Sequence, residues 1–173
     1  MINKVKASLS EKVLLIFLIF LFLITFGSYF LLKDKCLFVK NVDFDKINFT
    51  NVENIAIMNV ECGDVVIELD PITSPKSVKR FKTLIKNGSY NGSTFYRVIK
   101  NTLIQAGDLE YGNINDINYT KIGTGKSGLG LLKSELSDKF QFKKGSVAFA
   151  RKDDFDTEDS EFFITLKDIP IYQ

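Results

Sequence analysis

A chain of 173 residues, 45% hydrophobic and 25% charged, has room for one folded domain and an appendage. Its net charge of +2 provides no sequence-wide footprint for nucleic acid, and the absence of histidine removes the commonest general base and the commonest metal ligand together. Cys36 and Cys62 lack C-x-x-C spacing, which argues against a zinc site or a dithiol redox motif. The pair admits either a disulfide outside the cytosol or two free thiols.

In chain order, a lysine-bearing N-terminal stretch over 1–12 precedes an uncharged run, "VLLIFLIFLFLITFGSYFLL", at 13–32. That run is about the length a helix needs to span a bilayer. Lys4, Lys6 and Lys12 stand before it, and Lys33 and Lys35 after it, so flanking charge orients it only weakly. With most of the chain following, the N-terminus is expected in the cytoplasm and the remainder outside, single-pass. A cleaved signal peptide is the competing reading, with Thr25 and Gly27 as small residues before the cut. The apolar run continues past Gly27 to Leu32, which favours an uncleaved anchor. Residues 33–53 read as a polar linker, and the folded domain is expected over 54–173.

Within that domain "NIAIMNV" and "DVVIELD" are strand-forming runs joined by "ECG" as a hairpin turn. "TSPKSVKRFKTLIKNGSY" then switches to helical period. Ser74 is placed as N-cap and Pro75 at the first helical position, Val78, Phe81 and Ile85 form the apolar stripe, and Asn87-Gly88 closes the helix. A strand through "STFYRVIKNTLIQAGD" follows, then a Gly- and Asn-rich stretch from Gly107 to Gly130. Two further strands, "GSVAFAR" and "EFFITL", complete a mainly β pattern with one helix between strands. Inside the glycine stretch "KIGTGKSG" resembles a phosphate loop, but Thr120 stands where that pattern needs glycine. A flexible glycine loop is the expectation there.

One residue in the strand "STFYRVIKNTLIQAGD" stands out. Strand alternation puts Arg97 on the same face as Phe95, and burying a guanidinium costs several kcal/mol unless it is paired or hydrogen-bonded. Either Arg97 is structural and meets a carboxylate, or the strand lines a pocket in which Arg97 meets a ligand.

From Asn54 to Leu166 the sequence resembles the cyclophilins, the cyclosporin-binding peptidyl-prolyl isomerases, and its "AR" with an acidic loop before "FFI" is closer to the bacterial branch. Four blocks carry the resemblance, in family order: "VVIELDPITSPKSVKRFKTL", "YNGSTFYRVI" with "QAGD", "GSVAFA" and "SEFFI". It implies a mainly β, cyclophilin-like barrel and cis-trans isomerisation of X-Pro bonds in proline-containing polypeptides; with the anchor at 13–32, the expected role is to assist protein folding outside the cytoplasm. Neither cofactor nor metal is implied. Carried over, Arg97 is the catalytic arginine and Gln105 the glutamine that orients it. Phe163 and Leu103 are the apolar floor, and Ala150 is the small residue that admits the peptide.

This chain departs from the family pattern at several positions. Tyr96 replaces the usual histidine, and Thr102 stands where a pocket phenylalanine is expected. Glu161 replaces a glutamine and brings an anion near Arg97; pairing between the two would compete with substrate, so restoring glutamine is expected to raise activity. The family's segments after "KDIPIYQ" do not follow, which implies a barrel incomplete at the C-terminus with open edges. An alternative function follows, a catalytically weak peptide-binding module whose partner covers the open barrel edge.

Overall fold

The computed structural model describes residues 8–32, 36, 42–43, 46–49, 51–137 and 140–170. Most of the expected stretch 1–12, much of the linker 33–53 and the end of "KDIPIYQ" lie outside the described residues. The chain divides into two compact units, Met1–Ile47 with Met58–Val65, and Asn48–Ile57 with Val66–Gln173.

In the first unit the apolar run forms α1 (Leu9–Leu32), beginning four residues before the expected span. Ser8 and Glu11 form a reciprocal capping box: the Ser8 N–H donates to Glu11 Oε2 at 2.7 Å, and the Glu11 N–H to Ser8 Oγ at 3.3 Å. The helix is long and apolar enough to cross a membrane, and none of it is buried. Cys36 is disulfide-bonded to Cys62, with Cα atoms 5.0 Å apart, so the pair is a disulfide rather than two free thiols.

The hairpin consists of β1 (Ile55–Val60) and β2 (Gly63–Glu68), which form a two-stranded sheet. Ala56 and Ile67 contribute to the core of the second unit. Helix α2 (Pro75–Lys86) starts at Ser74 as the sequence predicts, but its capping group is remote. Both oxygens of Glu135 accept from the first turn, from the Lys76 N–H at 2.9 Å and the Ser77 N–H at 2.8 Å. A carboxylate satisfies these donors and complements the helix dipole better than a serine hydroxyl. The buried stripe is Val78, Phe81 and Leu84; Ile85, assigned to the stripe from sequence, is 39% exposed.

The strand expected through "STFYRVIKNTLIQAGD" is a hairpin of two, β3 (Arg97–Ile99) and β4 (Leu103–Ala106). Asn101 takes the left-handed conformation in the turn (φ 57°), which an asparagine tolerates at low cost. With β5 (Val147–Phe149) and β6 (Phe162–Thr165) they form an antiparallel sheet in the order β3-β4-β6-β5. One face carries Phe149 and Phe162, whose rings lie 6.1 and 5.4 Å from that of Phe81 on α2. Leu84, Ala106 and Ile164 are buried with them. The expected barrel is not closed. Closure needs every strand paired on both sides, and among the described residues β3 and β5 each have a single strand neighbour.

The buried structural arginine is Arg80. Its guanidinium meets Asp159 at 2.9 Å, and the two side chains are 11% and 6% exposed. Its remaining N–H groups donate to the Gly130 carbonyl at 2.9 Å and the Leu129 carbonyl at 3.1 Å, while Asp159 also accepts from the Ser127 N–H at 2.9 Å. Helix, glycine stretch and the approach to β6 are thereby held at one point.

A second buried carboxylate, Asp108 (1% exposed), accepts from four backbone N–H groups: Glu110 at 3.1 Å, Tyr111 at 2.8 Å, Gly123 at 2.6 Å and Gly125 at 3.0 Å. The glycine segment expected to be flexible is therefore tied at its base, and its N–H groups already serve an anion of the protein.

Removing one partner of a buried ion pair strands the other charge, at a cost of about 3–5 kcal/mol. Arg80→Leu is expected to lower unfolding stability by that order, as a shift of the denaturant midpoint at constant m-value; a loss below about 1 kcal/mol would show that the pair holds nothing together. A Cβ at residue 125 would lie 2.0 Å from Asp108 Oδ1. Gly125→Ala is accordingly expected to cost about 1–3 kcal/mol through overpacking, checked by the same denaturation.

Candidate active site

Register assembles the site. Arg97 pairs with Gln105, Gln105 with Phe163, and Phe163 with Ala148, so one row crosses all four strands. Directly opposed residues share a face, and residues two apart along a strand share it too. Arg97, Gln105, Phe163, Ala150 and Glu161 therefore stand together on the face turned away from α2. The Ala150 N–H donates to the Glu161 carbonyl at 2.7 Å, which extends the β5–β6 pairing to these two residues.

Arg97 is exposed rather than directed into the core, so the cost posed by a buried guanidinium does not arise. One nitrogen donates to Gln105 Oε1 at 3.1 Å. Among the described residues the ion pairs are Lys46–Asp43 and Arg80–Asp159, and Arg97 enters neither. Gln105, 8% exposed, directs its amide nitrogen the other way, to Tyr96 Oη at 2.5 Å and Glu161 Oε2 at 2.9 Å. The Tyr96 hydroxyl completes the set by donating to Glu161 Oε2 at 2.5 Å. The expected Arg97–Glu161 pairing is thus replaced by an indirect link through Gln105, because the carboxylate is occupied by two neutral donors. Burial, reinforced by the hydrogen bond to Glu161, raises the Tyr96 phenol well above its ordinary value, so it remains a protonated donor.

Phe163 is half-buried and its ring lies 5.6 Å from that of Phe142. Ala150 is half-buried and pairs with Glu161 through its N–H. Leu103 shares the Gln105 face but is 4% exposed, so it lies beneath the row rather than at its surface. Thr102 lies outside the row, in the β3–β4 turn, with its hydroxyl 3.4 Å from the Lys100 carbonyl.

Sequence reading assigned no role to Tyr96, Asp108 or Gly123. A Cβ on Gly123 would sit 3.3 Å from the Tyr96 ring, so the loop anchored by Asp108 forms the wall against which that ring rests. The signal was present in "QAGD": a lone carboxylate at the end of a buried strand must find donors, and the glycines downstream leave their N–H groups accessible. The arrangement places an exposed guanidinium, held at one nitrogen by Gln105, in the same cross-strand row as Phe163.

Residues 55–172 match the model of the family described as cyclophilin type peptidyl-prolyl cis-trans isomerase/CLD. A "Probable peptidyl-prolyl cis-trans isomerase" of Brucella suis is 39% identical over 119 residues, covering 68% of this chain and 60% of that protein. A Cryptosporidium parvum cyclophilin type peptidyl-prolyl cis-trans isomerase, crystallised in the presence of the dipeptide Ala-Pro, superposes with a TM-score of 0.53 at 28% identity, over 62% of this chain and 65% of its own. The cyclophilin AquaCyp293 from Hirschia baltica gives a TM-score of 0.55 over 69% of this chain and 60% of its own; at 19% identity it bears on the fold alone. The chain spans about 60% of the length of the Brucella relative. With the Arg97–Gln105–Phe163 row and the family match over 55–172, this chain belongs to the cyclophilin-type peptidyl-prolyl cis-trans isomerase family.

Proposed function

We propose that the chain isomerises X-Pro bonds in polypeptides outside the cytoplasm, with Arg97 as the catalytic cation and α1 as its membrane anchor. The observation that carries this reading is the row itself: a guanidinium held at one nitrogen by Gln105, 3.1 Å away, with Phe163 next in register. Rotation about an X-Pro bond meets a barrier near 20 kcal/mol because amide resonance is lost at the twisted state. The twisted nitrogen is pyramidal and acquires a lone pair that the planar amide lacks. A guanidinium fixed near that nitrogen or the preceding carbonyl stabilises the twisted form more than the planar one, which is differential transition-state binding. Phe163 grips the proline ring and Ala150 leaves space for the chain. No proton is transferred, so a protein without histidine meets the requirement.

The Cys36–Cys62 disulfide supports an oxidising compartment, and the uncharged α1 supports anchorage, with 1–12 cytoplasmic, 33–53 as tether and 54–173 as the isomerase domain. Among the described residues the edges of β3 and β5 carry no further strand, which favours one other reading, a catalytically weak proline-peptide binder whose partner covers the sheet edge. Binding of proline peptides with no isomerisation above the uncatalysed rate would select that reading.

Arg97→Ala in the full-length chain is expected to lower turnover of an X-Pro peptide, measured by exchange NMR, by about 10²–10³-fold with little change in ground-state peptide binding or thermal stability. Loss of stability with activity per folded molecule unchanged would make Arg97 structural. For the anchor, the mature protein is expected to sediment with membranes and to retain its N-terminus, and its cysteines to alkylate only after reduction. A mature N-terminus near Ser28, or thiols that alkylate without reductant, would contradict this placement.

A further inference from the structure

The donors and acceptors around Gln105 can be assigned completely. Arg97 donates only, and an ionised Glu161 accepts only. Between them lies an amide with one accepting and one donating end, 3.1 Å from the guanidinium and 2.9 Å from the carboxylate. Tyr96 Oη accepts from that amide and donates its own O–H to Glu161. Each bond runs in one direction, from Arg97 to Gln105 and from Gln105 and Tyr96 to Glu161. A flipped Gln105 amide would set its carbonyl against a carboxylate and its N–H₂ against a guanidinium, so both ends of the network oppose the flip.

We infer that Glu161 and Tyr96 are a positioning pair that fixes which end of the Gln105 amide faces Arg97, so that an isomerase site which moves no proton nevertheless depends on an ionised carboxylate. The inference rests on Arg97 being the catalytic cation. Arg97 is exposed, and among the described residues a hydrogen bond to Gln105 is what restrains its guanidinium. Whatever blurs the Gln105 orientation releases it into water. Glutamine at 161 is the change that blurs it, because a glutamine side chain meets either end of another amide equally well. Removing the anion therefore lowers activity, the reverse of what the sequence suggests.

The test uses the whole chain in detergent, with wild type, Glu161→Gln, Tyr96→Phe and Arg97→Ala compared by exchange NMR on an X-Pro peptide, and with circular dichroism to normalise to folded protein. Expected results are a fall of about tenfold in kcat for Glu161→Gln with KM within about twofold, and a smaller fall for Tyr96→Phe. If Arg97→Ala abolishes activity while Glu161→Gln retains the wild-type kcat, the positioning role is overturned and the isomerase reading stands. If wild type does not isomerise, that reading fails and the side-chain amide decides the positioning role by itself. The Gln105 Nε2 signal, identified by its loss in Gln105→Ala, should be exchange-protected in wild type and lose that protection in Glu161→Gln. A Gln105 amide already unprotected in wild type overturns the proposal.

Discussion

Pairing of β3, β4, β6 and β5 in one register is the constraint on which everything else depends. It lines Arg97, Gln105, Phe163 and Ala148 across four strands while sending Phe149, Phe162 and Ile164 to the opposite face, against Phe81 of α2. Because side chains alternate along a strand, a slip of one residue would exchange the two sets, burying the guanidinium and exposing the aromatic core. The hydrophobic drive that packs α2 on the sheet and the chemistry of the opposite face are therefore one choice of register. The β3–β4 turn at Asn101 is what allows Arg97 to pair with Gln105 eight residues later.

Charges in this domain fall into two groups. Asp108 and Asp159 are buried and Arg80 is largely covered; Asp108 is satisfied by backbone N–H groups, and Arg80 and Asp159 by each other and by backbone groups. Arg97 is the opposite case, exposed and tied at one nitrogen. A guanidinium meant to serve a ligand must keep donors free, which a buried, fully satisfied arginine cannot do. The wall formed by Gly123 against Tyr96 connects the groups, since Asp108 fixes the loop that supports the ring which in turn donates to Glu161.

Much of this was legible in the sequence. The strand-forming runs "GSVAFAR" and "EFFITL" and the helical period in "SPKSVKRFKTLIK" located β5, β6 and α2, and the family resemblance marked Arg97, Gln105 and Phe163, the residues that register joins. Long-range polar pairing was not legible. Glu135 caps a helix 58 residues away, and Arg80 meets a carboxylate 79 residues away, separations at which no local pattern carries a signal. Glu161 was misread for the same reason: its chemistry follows from Tyr96 and Gln105, 65 and 56 residues earlier, not from its neighbours. Ile85 was misassigned because a period of 3.6 leaves two positions competing at the edge of a stripe, and packing chose Leu84.

The central claim is that Gln105 acts through Arg97 rather than beside it. A double-mutant cycle on kcat for an X-Pro peptide, with Arg97→Ala, Gln105→Ala and the double substitution each normalised to folded protein, tests this most directly. The account predicts that the double variant is no slower than Arg97→Ala alone. A double variant whose loss equals the product of the two single losses would contradict it.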